Sequence, residues 1–260
     1  MESATTGGRL AGKYALVTGS TRGLGRTAAE WLAREGCGIV VHGRAQADVD
    51  QAVEEIGALG VHTTGFPADL SKIGDTHRLA EQALGAVPQL DILVNNAGMS
   101  IRGRFWEVPD DDWEYQTNVN YRSPFVLAQH AARHMIERGI RGRIVNTSTI
   151  GAHLCHTNAA VYDSNKGAVE TMTQNMAYEL GEHGITVNCV VPGGIPDKPS
   201  GNRPAATWGA GFSKWVPLGR AGRSEDTANA VLFFCLPESE WISGQSLMID
   251  GAHSVRLWEG

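Results

Sequence analysis

The sequence predicts an α/β fold: one domain built on a doubly wound parallel sheet of seven strands, with helices on both faces. Short apolar, β-branched runs alternate with longer segments whose apolar residues recur at i, i+3 and i+4 spacing, and this alternation is typical of βαβ units. The chain has 260 residues, the length of one large domain. Neither an internal repeat nor a break in composition divides it, so we expect residues 1–260 to form a single unit.

Each element can be assigned from its local pattern. The predicted strands are residues 14–17, 38–41, 61–66, 90–94, 143–147, 186–190 and 247–249. The predicted covering helices include residues 27–34, 112–137 and 168–180. Residues 193–216 show neither period and are rich in Gly, Pro and Trp, so we expect an active-site lid there, or else a disordered segment.

Charge and composition exclude several classes of partner. The net charge is −6, from 22 basic and 28 acidic residues, which disfavours non-specific binding of nucleic acid or anionic lipid. No apolar run reaches the roughly 20 residues that a membrane-spanning helix needs, and the first residues lack the features of a secretory signal. We therefore expect a cytoplasmic protein with a small-molecule substrate, and no nucleic acid or membrane partner.

The cysteines and histidines do not indicate a metal site. The four cysteines are far apart and lack CxxC pairing, which argues against a zinc ribbon or a disulfide framework. His153, Cys155 and His156 form a local cluster, but its spacing matches no zinc pattern. We expect no metal, and we interpret this cluster as the rim of a substrate pocket.

A glycine-rich segment follows the first predicted strand and precedes a helical pattern. It reads TGSTRGLG over residues 18–25. Glycines let the backbone approach a pyrophosphate closely, while the free N–H groups of the next helix favour its negative charge. The segment predicts a Rossmann-type dinucleotide site; the alternative is a βα turn that binds nothing. Its expected cofactor contacts are Gly19, Thr21, Arg22, Gly23, Leu24 and Gly25.

Further motifs follow in order along the chain. They are NNAG at residues 95–98, Asp69-Leu70 after the third strand, Asn120 seven residues after Trp113, Tyr162-x-x-x-Lys166, Pro192-Gly193, and GQSLMIDG at residues 244–251. With the TGxxxGxG spacing they resemble the short-chain dehydrogenase/reductase family over nearly the whole chain. The resemblance implies an NAD(P)-dependent oxidoreductase acting on a CH–OH group. It also implies further cofactor contacts at Asp69, Leu70, Asn96, Ala97, Gly98, Tyr162, Lys166, Pro192, Gly193 and Ile195.

Tyr162 and Lys166 are the predicted reacting pair. They lie at i and i+4, so on a helix they share one face and their polar ends can converge. A tyrosine pKa of about 10 must fall to about 7 or 8 for proton exchange with a substrate oxygen, which requires roughly 3 to 4 kcal/mol of preferential phenolate stabilisation. A nearby ammonium and a positive nicotinamide can supply it. The alternative is an exposed amphipathic pair.

The resemblance also implies a hydroxyl and an asparagine in the catalytic set. The family places a serine about thirteen residues before the tyrosine, where this chain has Thr149, and the neighbouring Ser148 is the alternative. Threonine can make the same hydrogen bond. Asn120 corresponds to the family's helix asparagine, which holds a water beside the lysine. After the sixth strand, where the family has PGxxxT, this chain has Asp197 in place of the threonine.

The end of the second strand bears on the choice of cofactor. NAD-specific sites place an acidic residue about 20 residues past the glycine turn, but this chain has Gly43 and then Arg44. Arg44 and Arg22 could hold a 2′-phosphate by charge-assisted hydrogen bonds. We therefore expect NADP in preference to NAD; the alternative is that both arginines are solvated and NAD is used.

Basic residues are frequent where the resemblance places the substrate. The expected substrate contacts are Arg102, Arg104, His153, His156, Arg203 and Trp208, with Lys198 and Lys214 nearby. Arginine forks bind carboxylates and phosphates at two points, so we expect a small polyhydroxylated and anionic substrate. Residues 116–126 and 135–146 also look similar to gluconate 5-dehydrogenase-like sugar-acid dehydrogenases. The alternatives are a reductase of another ketone or 3-oxoacyl substrate, an epimerase or lyase using transient oxidation, and a non-catalytic dinucleotide sensor on the same fold.

The resemblance implies a homotetramer as well. The apolar run at residues 231–234 and the last strand could form its interface. The alternative is that this run packs inside its own domain.

Overall fold

Seven parallel strands form one sheet, in the order β3-β2-β1-β4-β5-β6-β7. The computed structural model describes residues 7–196 and 214–255. The strands are β1 Tyr14–Val17, β2 Gly38–Gly43, β3 Thr63–Pro67, β4 Ile92–Asn95, β5 Arg143–Thr147, β6 Thr186–Pro192 and β7 Ser246–Ile249. The fold class predicted from the alternating pattern is confirmed. The strand order reverses between β1 and β4, and a crevice at such a switch point is where open α/β sheets bind ligands.

Helices cover both faces of the sheet. They are α1 Gly23–Arg34, α2 Gln46–Gly57, α3 Ile73–Ala86, α4 Asp110–Thr117, α5 Ser123–Glu137, α6 Gly151–Leu154, α7 Ala160–Leu180 and α8 Ser224–Cys235. The helices α1, α2 and α8 pack on one face, around Leu32, Ile56 and Phe234. The helices α3 and α5 pack on the other face, around Leu79 and Met135, and the end of α7 adjoins them. Because both faces are covered, strands such as β2 are buried along their whole length.

The helix predicted over residues 112–137 begins two residues earlier and is interrupted by a π-helical segment. The chain forms α4, then a π-helical segment over Asn118–Arg122, and then α5. The amide of Ser123 donates to the carbonyl of Asn118, five residues earlier. Pro124 has no N–H, so it cannot make the α-helical bond to the carbonyl of Asn120. Such π segments frequently lie at functional sites, and this one carries Asn120 into the interior.

The apolar run predicted as an oligomer interface lies mostly inside the domain. Within this run on α8, the side chains of Val231, Leu232 and Phe234 are buried in the hydrophobic core, and that of Phe233 is exposed. Three of the four side chains in this run therefore pack in the core shared with α1, as the alternative interpretation holds, and only Phe233 could contribute to an interface.

No helix in the described parts of the chain is both long enough and apolar enough to cross a bilayer. Within residues 7–196 and 214–255, no group of three His, Cys, Asp or Glu side chains could hold a metal ion.

Candidate active site

The glycine turn after β1 packs directly on the segment after β4. Gly19 has φ 65°, in the left-handed region that favours glycine. A Cβ added to Gly25 would lie 2.3 Å from Nδ2 of Asn96, so no larger residue fits there. Asn96 Nδ2 donates to the carbonyl of Thr18 over 2.9 Å, and Thr18 Oγ1 accepts from the amide of Ala97 over 3.0 Å. The glycine turn and the 95–98 segment therefore form one rigid cradle at the switch point.

His42, near the end of β2, also fixes the shape of the glycine turn. Its Nδ1 accepts the amide N–H of Gly19 over 3.0 Å, and its Nε2 lies 3.2 Å from the carbonyl of Ala68. These partners require a neutral ring with its proton on Nε2. Burial lowers the pKa of His42 to about 4, so the ring stays neutral near pH 7. His42 was not identified from the sequence, although a polar residue within an apolar strand segment was a visible signal.

Tyr162 and Lys166 lie on one face of α7, as the i, i+4 spacing predicts. Lys166 Nζ lies 5.9 Å from the centroid of the Tyr162 ring and donates to the carbonyl of Thr147 over 2.7 Å. Burial lowers the pKa of Lys166 to about 8, so its ammonium is still mostly protonated at neutral pH. Tyr162 and Lys166 are therefore not the exposed amphipathic pair of the alternative interpretation.

The protein alone does not lower the pKa of Tyr162. Burial, and then the charge of Asp163, raise that pKa to about 12, while Arg102 and a hydrogen bond with Thr149 lower it by less. Desolvation disfavours the phenolate, and Lys166 donates to a backbone carbonyl. At neutral pH Tyr162 is therefore a protonated hydrogen-bond donor.

The adjacent hydroxyls of Ser148 and Thr149 have different partners. Ser148 Oγ donates to Glu170 Oε1 over 2.6 Å, behind the site. The hydroxyl of Thr149 lies close enough to that of Tyr162 to lower its pKa. Both residues border the smaller of two cavities described below, but only Thr149 also borders the larger one. Thr149 is therefore the hydroxyl that can reach a ligand together with Tyr162.

Asn120 is buried beside the lysine. Its Oδ1 accepts the amide of Met99 over 2.9 Å, and its Nδ2 donates to the carbonyl of Met99 over 2.8 Å. A Cβ added to Gly98 would lie 3.2 Å from Asn120 Oδ1 and 3.4 Å from Lys166 Nζ. Glycine at position 98 therefore lets the two side chains converge under the segment that follows β4.

Two adjoining cavities bring the predicted residues together. The smaller has a volume of about 220 Å³ and is bordered by Thr149, Tyr162 and Lys166. It is also bordered by six predicted cofactor contacts: Leu24, Asn96, Gly98, Pro192, Gly193 and Ile195. The larger, which we call the substrate cleft, has a volume of about 640 Å³ and shares Thr149 and Tyr162 with the smaller one.

Of the predicted substrate contacts, Arg102 and His156 line the substrate cleft. Arg104 does not border it: its guanidinium lies 5.6 Å from the centroid of the Trp106 ring. His153 does not border it either, because its Nε2 lies 3.0 Å from Glu170 Oε1. The structure therefore does not bring Arg104 and His153 into the substrate cleft with Arg102 and His156. Three further predicted positions, Lys198, Arg203 and Trp208, lie outside the described residues.

The remaining predicted cofactor contacts lie along the edge of the cradle. Arg22 and Arg44 are exposed. A Cβ added to Gly43 would lie 2.4 Å from Cγ2 of Thr21, so the glycine turn and the end of β2 touch. Asp69 Oδ1 accepts from Ser71 Oγ over 2.8 Å. The side chain of Leu70 is buried in the core, so only its backbone can face a cofactor.

Comparison with known proteins agrees with this geometry. A family model described as "Enoyl-(Acyl carrier protein) reductase" matches residues 19–253. The chain is 35% identical over 256 residues to a hydroxynaphthalene reductase-like protein Arp2 of Metarhizium brunneum, covering 93% of this chain and 95% of that protein. It is 34% identical over 255 residues to gluconate 5-dehydrogenase of Gluconobacter oxydans, with 95% and 97% covered.

Solved structures agree as well. The chain resembles acetoin dehydrogenase YohF from Salmonella typhimurium with a TM-score of 0.86 and 31% identity, over 94% of this chain and 96% of that one. The relatives act on different substrates according to their names, so they share a fold and a reaction class and not one substrate. The chain belongs to the short-chain dehydrogenase/reductase family and is an NAD(P)-dependent oxidoreductase.

Proposed function

We propose that this protein transfers a hydride between NADP and a carbinol or carbonyl carbon of a small, polyhydroxylated and anionic substrate, a sugar or sugar acid. The observation that carries the proposal is the convergence of Tyr162, Thr149 and Lys166 on a cavity that opens into the substrate cleft. Arg102 supplies the positive charge in that cleft. A dinucleotide sensor would not need this set of proton-handling residues.

The cradle fits a dinucleotide. A side chain at position 25 would overlap the carbonyl of Gly19, and one at position 98 would crowd Asn120 and Lys166, so glycine at both positions keeps the backbone of the cradle accessible to a ligand. Residues 19–25 would hold the pyrophosphate at the start of α1, and residues 95–98 and 192–195 would flank the nicotinamide. When bound, the nicotinamide gives or accepts the hydride.

The chain's own residues handle the proton. In carbonyl reduction, the hydroxyl of Tyr162 donates a proton to the substrate oxygen, and the hydroxyl of Thr149 hydrogen-bonds the same oxygen and orients it. The ammonium of Lys166, 5.9 Å from the phenol ring centroid, stabilises the phenolate that remains. Asn120 holds the segment at Met99 in place by two hydrogen bonds. This segment borders both Lys166 and the substrate cleft. Oxidation of an alcohol uses the same groups in reverse.

The proposed preference for NADP rests on Arg22 and Arg44. Both are exposed at the edge where Thr21 meets Gly43, and no residue from 42 to 47 is acidic. The test compares kcat/KM for NADPH and NADH in the wild type, in R44A, and in R34A as a control, because Arg34 is exposed at the far end of α1. We expect R44A to lower kcat/KM about tenfold for NADPH alone. A wild type that prefers NADH would contradict the proposal.

The proposed anionic substrate rests on Arg102. The test measures kcat/KM for D-gluconate and D-glucose in the wild type, R102A and R104A; Arg104 is the matched control because it lies two residues away and outside the cleft. We expect R102A to reduce the rate with gluconate more than with glucose, and R104A to change neither. Turnover of apolar ketones alone would favour the second candidate, a reductase of small or aromatic ketones such as the names of several relatives suggest.

We also propose that the protein is a cytoplasmic homotetramer. Exposed apolar side chains on α7, on α8 and near β7 support an interface: Tyr178, Phe233, Trp241 and Leu247. Light scattering should give about four times the chain mass of 27.8 kDa. A monomer mass would exclude this assembly.

A further inference from the structure

A histidine and an aspartate form a second polar group in the substrate cleft, separate from the proton-transfer set. His156 Nδ1 lies 2.9 Å from Asp163 Oδ1, and the amide of His156 donates to Asp163 Oδ2 over 2.7 Å. Both carboxylate oxygens therefore bind the same residue. We call these two residues the His–Asp pair.

The pair is built closely into the fold. A Cβ added to Gly151 would lie 2.1 Å from His156 Nδ1 and 2.2 Å from Asp163 Oδ1, so the two side chains pack directly on a bare backbone. The neighbours Cys155 and Asn158 have φ values of 56° and 57°, a conformation that non-glycine residues rarely adopt. Asp163 itself is buried. The chain thus fixes the imidazole in one position at a cost in backbone strain.

The contacts determine which ring nitrogen is available. Nδ1 faces a carboxylate, so it carries the proton of the neutral ring, and Nε2 is left with a lone pair. Within residues 7–196 and 214–255, the only side-chain hydrogen bond of His156 is the one to Asp163. The ring borders the same cleft as Tyr162 and Thr149, and its side chain is 29% exposed. An acceptor therefore lies in the cleft beside the proton donor.

Arg102 links the segment after β4 to the loop that carries His156. Its guanidinium donates to the carbonyl of Thr157 over 2.7 Å, and the amide of Gly103 donates to the carbonyl of Asn158 over 2.9 Å. The segment after β4 and the loop that carries His156 are therefore bound together, and a ligand in the cleft meets the arginine and the histidine at once.

We propose that His156 is a specificity-determining residue, whose Nε2 accepts a hydrogen bond from a substrate hydroxyl on the carbon next to the reacting carbon. The enzyme would then select α-hydroxy carbonyl compounds, and vicinal diols in the reverse direction. Asp163 and Gly151 act as positioning residues. The inference rests on the proposed function, because it assumes carbonyl chemistry at Tyr162, and it adds the functional group that the cleft recognises.

The test uses two ketones that differ by one hydroxyl, acetoin and 2-butanone. Their reduction by NADPH and NADH is measured in the wild type, H156N, D163N and H183N. Asparagine at 156 keeps a donor toward Asp163 but removes the acceptor at Nε2, and His183 is a control on the surface, 3.8 Å from its own acidic neighbour Glu182. The rate with 2-butanone reports whether each variant retains a working site.

We expect the wild type to favour acetoin by about tenfold or more, as a site built around a hydroxyl should. H156N should lose that preference because its kcat/KM falls further with acetoin than with 2-butanone, D163N should lose part of the preference, and H183N should match the wild type. A wild type without preference for acetoin, or an H156N that loses both rates equally, overturns the inference and leaves the proposed function standing. A wild type that reduces neither ketone nor any sugar substrate with either cofactor overturns the proposed function itself.

Discussion

At the scale of single residues, Thr149 and Ser148 are adjacent in sequence and have different surroundings. Thr149 borders the substrate cleft together with Tyr162, and the hydroxyl of Ser148 donates to the buried Glu170. We predict that T149V lowers kcat by about 100-fold, as the loss of one donor to a reacting oxygen does. We predict that S148A changes kcat by only a few fold but costs about 1 to 3 kcal/mol of unfolding free energy, because Glu170 loses a partner.

Steady-state kinetics and urea denaturation measure the two effects. If S148A were the variant that lost its kcat, while T149V stayed active, the roles of the two hydroxyls would have to be exchanged.

The pH dependence of carbonyl reduction is a second prediction at this scale. Burial lowers the pKa of Lys166 to about 8 and raises that of Tyr162 to about 12. As the pH rises, Lys166 therefore loses its charge long before Tyr162 loses its proton. We predict that kcat/KM for reduction is flat near pH 7 and falls above about pH 8, and that K166R, whose guanidinium stays charged, lacks this fall. A wild-type profile that stays flat to pH 10 would contradict the assignment.

Residue identities could be predicted from sequence only where a motif fixed them. Tyr162, Lys166 and Asn120 lie together, as their motifs led us to expect. The choice between residues 148 and 149 was left open, because a shift of one residue turns a side chain to the opposite side of an extended chain. Asp163 and His42 were not identified, since their partners are Gly151, His156 and Gly19, and a sequence does not state such contacts.

At the scale of elements, the tight packing of the glycine turn leads us to a prediction about cofactor binding. A Cβ on Gly25 would meet Asn96 Nδ2 at 2.3 Å and the carbonyl oxygen of Gly19 at 2.4 Å, whereas a Cβ on Gly85 in α3 would meet nothing within 4 Å. We predict that G25A raises the Kd for NADPH at least tenfold, because the cradle must open. G85A should leave the Kd unchanged and slightly stabilise its helix.

Fluorescence titration of NADPH measures both values. Equal affinities in the two glycine variants would mean that the turn does not hold the cofactor.

Element boundaries show where periodicity is informative and where it fails. The strands β1 and β5 begin and end where the sequence predicts. The helical segment predicted over residues 112–137 was found, but its π-helical part at Asn118–Arg122 was not. Apolar spacing does not register a change in hydrogen-bond pattern, and the missing N–H of Pro124 was the only local signal of it.

At the scale of the whole molecule, His42 links acid stability to the cofactor cradle. Its pKa is 6.5 in an unfolded chain and about 4 in the fold. The unfolded chain therefore takes up this proton first as the pH falls, so stability is full above pH 6.5 and declines toward pH 4. The difference corresponds to about 3 kcal/mol.

We predict that the wild type loses about 3 kcal/mol more unfolding free energy than H42N between pH 7 and pH 4. Urea denaturation at both values measures the difference, with H183N as the control. Equal losses in the wild type and H42N would show that His42 does not set the acid limit.

The overall fold could be predicted from the sequence, whereas the pKa values of the site residues could not. Seven apolar runs and the helical segments between them sufficed to predict a parallel sheet covered on both faces, because this alternation is typical of βαβ units. The raised pKa of Tyr162 could not be predicted, since it depends on burial and on Asp163, which the tertiary structure brings about. The contacts of Arg104 with Trp106 and of His153 with Glu170, both outside the substrate cleft, could not be predicted from the sequence either.

Tyr162 carries the transferred proton in the proposed reaction, and the Y162F variant removes the hydroxyl on which this role depends. Phenylalanine keeps the ring beside Lys166 and removes only the hydroxyl. Turnover is measured with NADPH and acetoin, and cofactor binding is measured by fluorescence titration, with K166A in parallel. We predict that Y162F loses at least 1,000-fold in kcat while its Kd for NADPH stays within about twofold, and that K166A loses both. A Y162F variant that keeps most of its kcat would contradict the account.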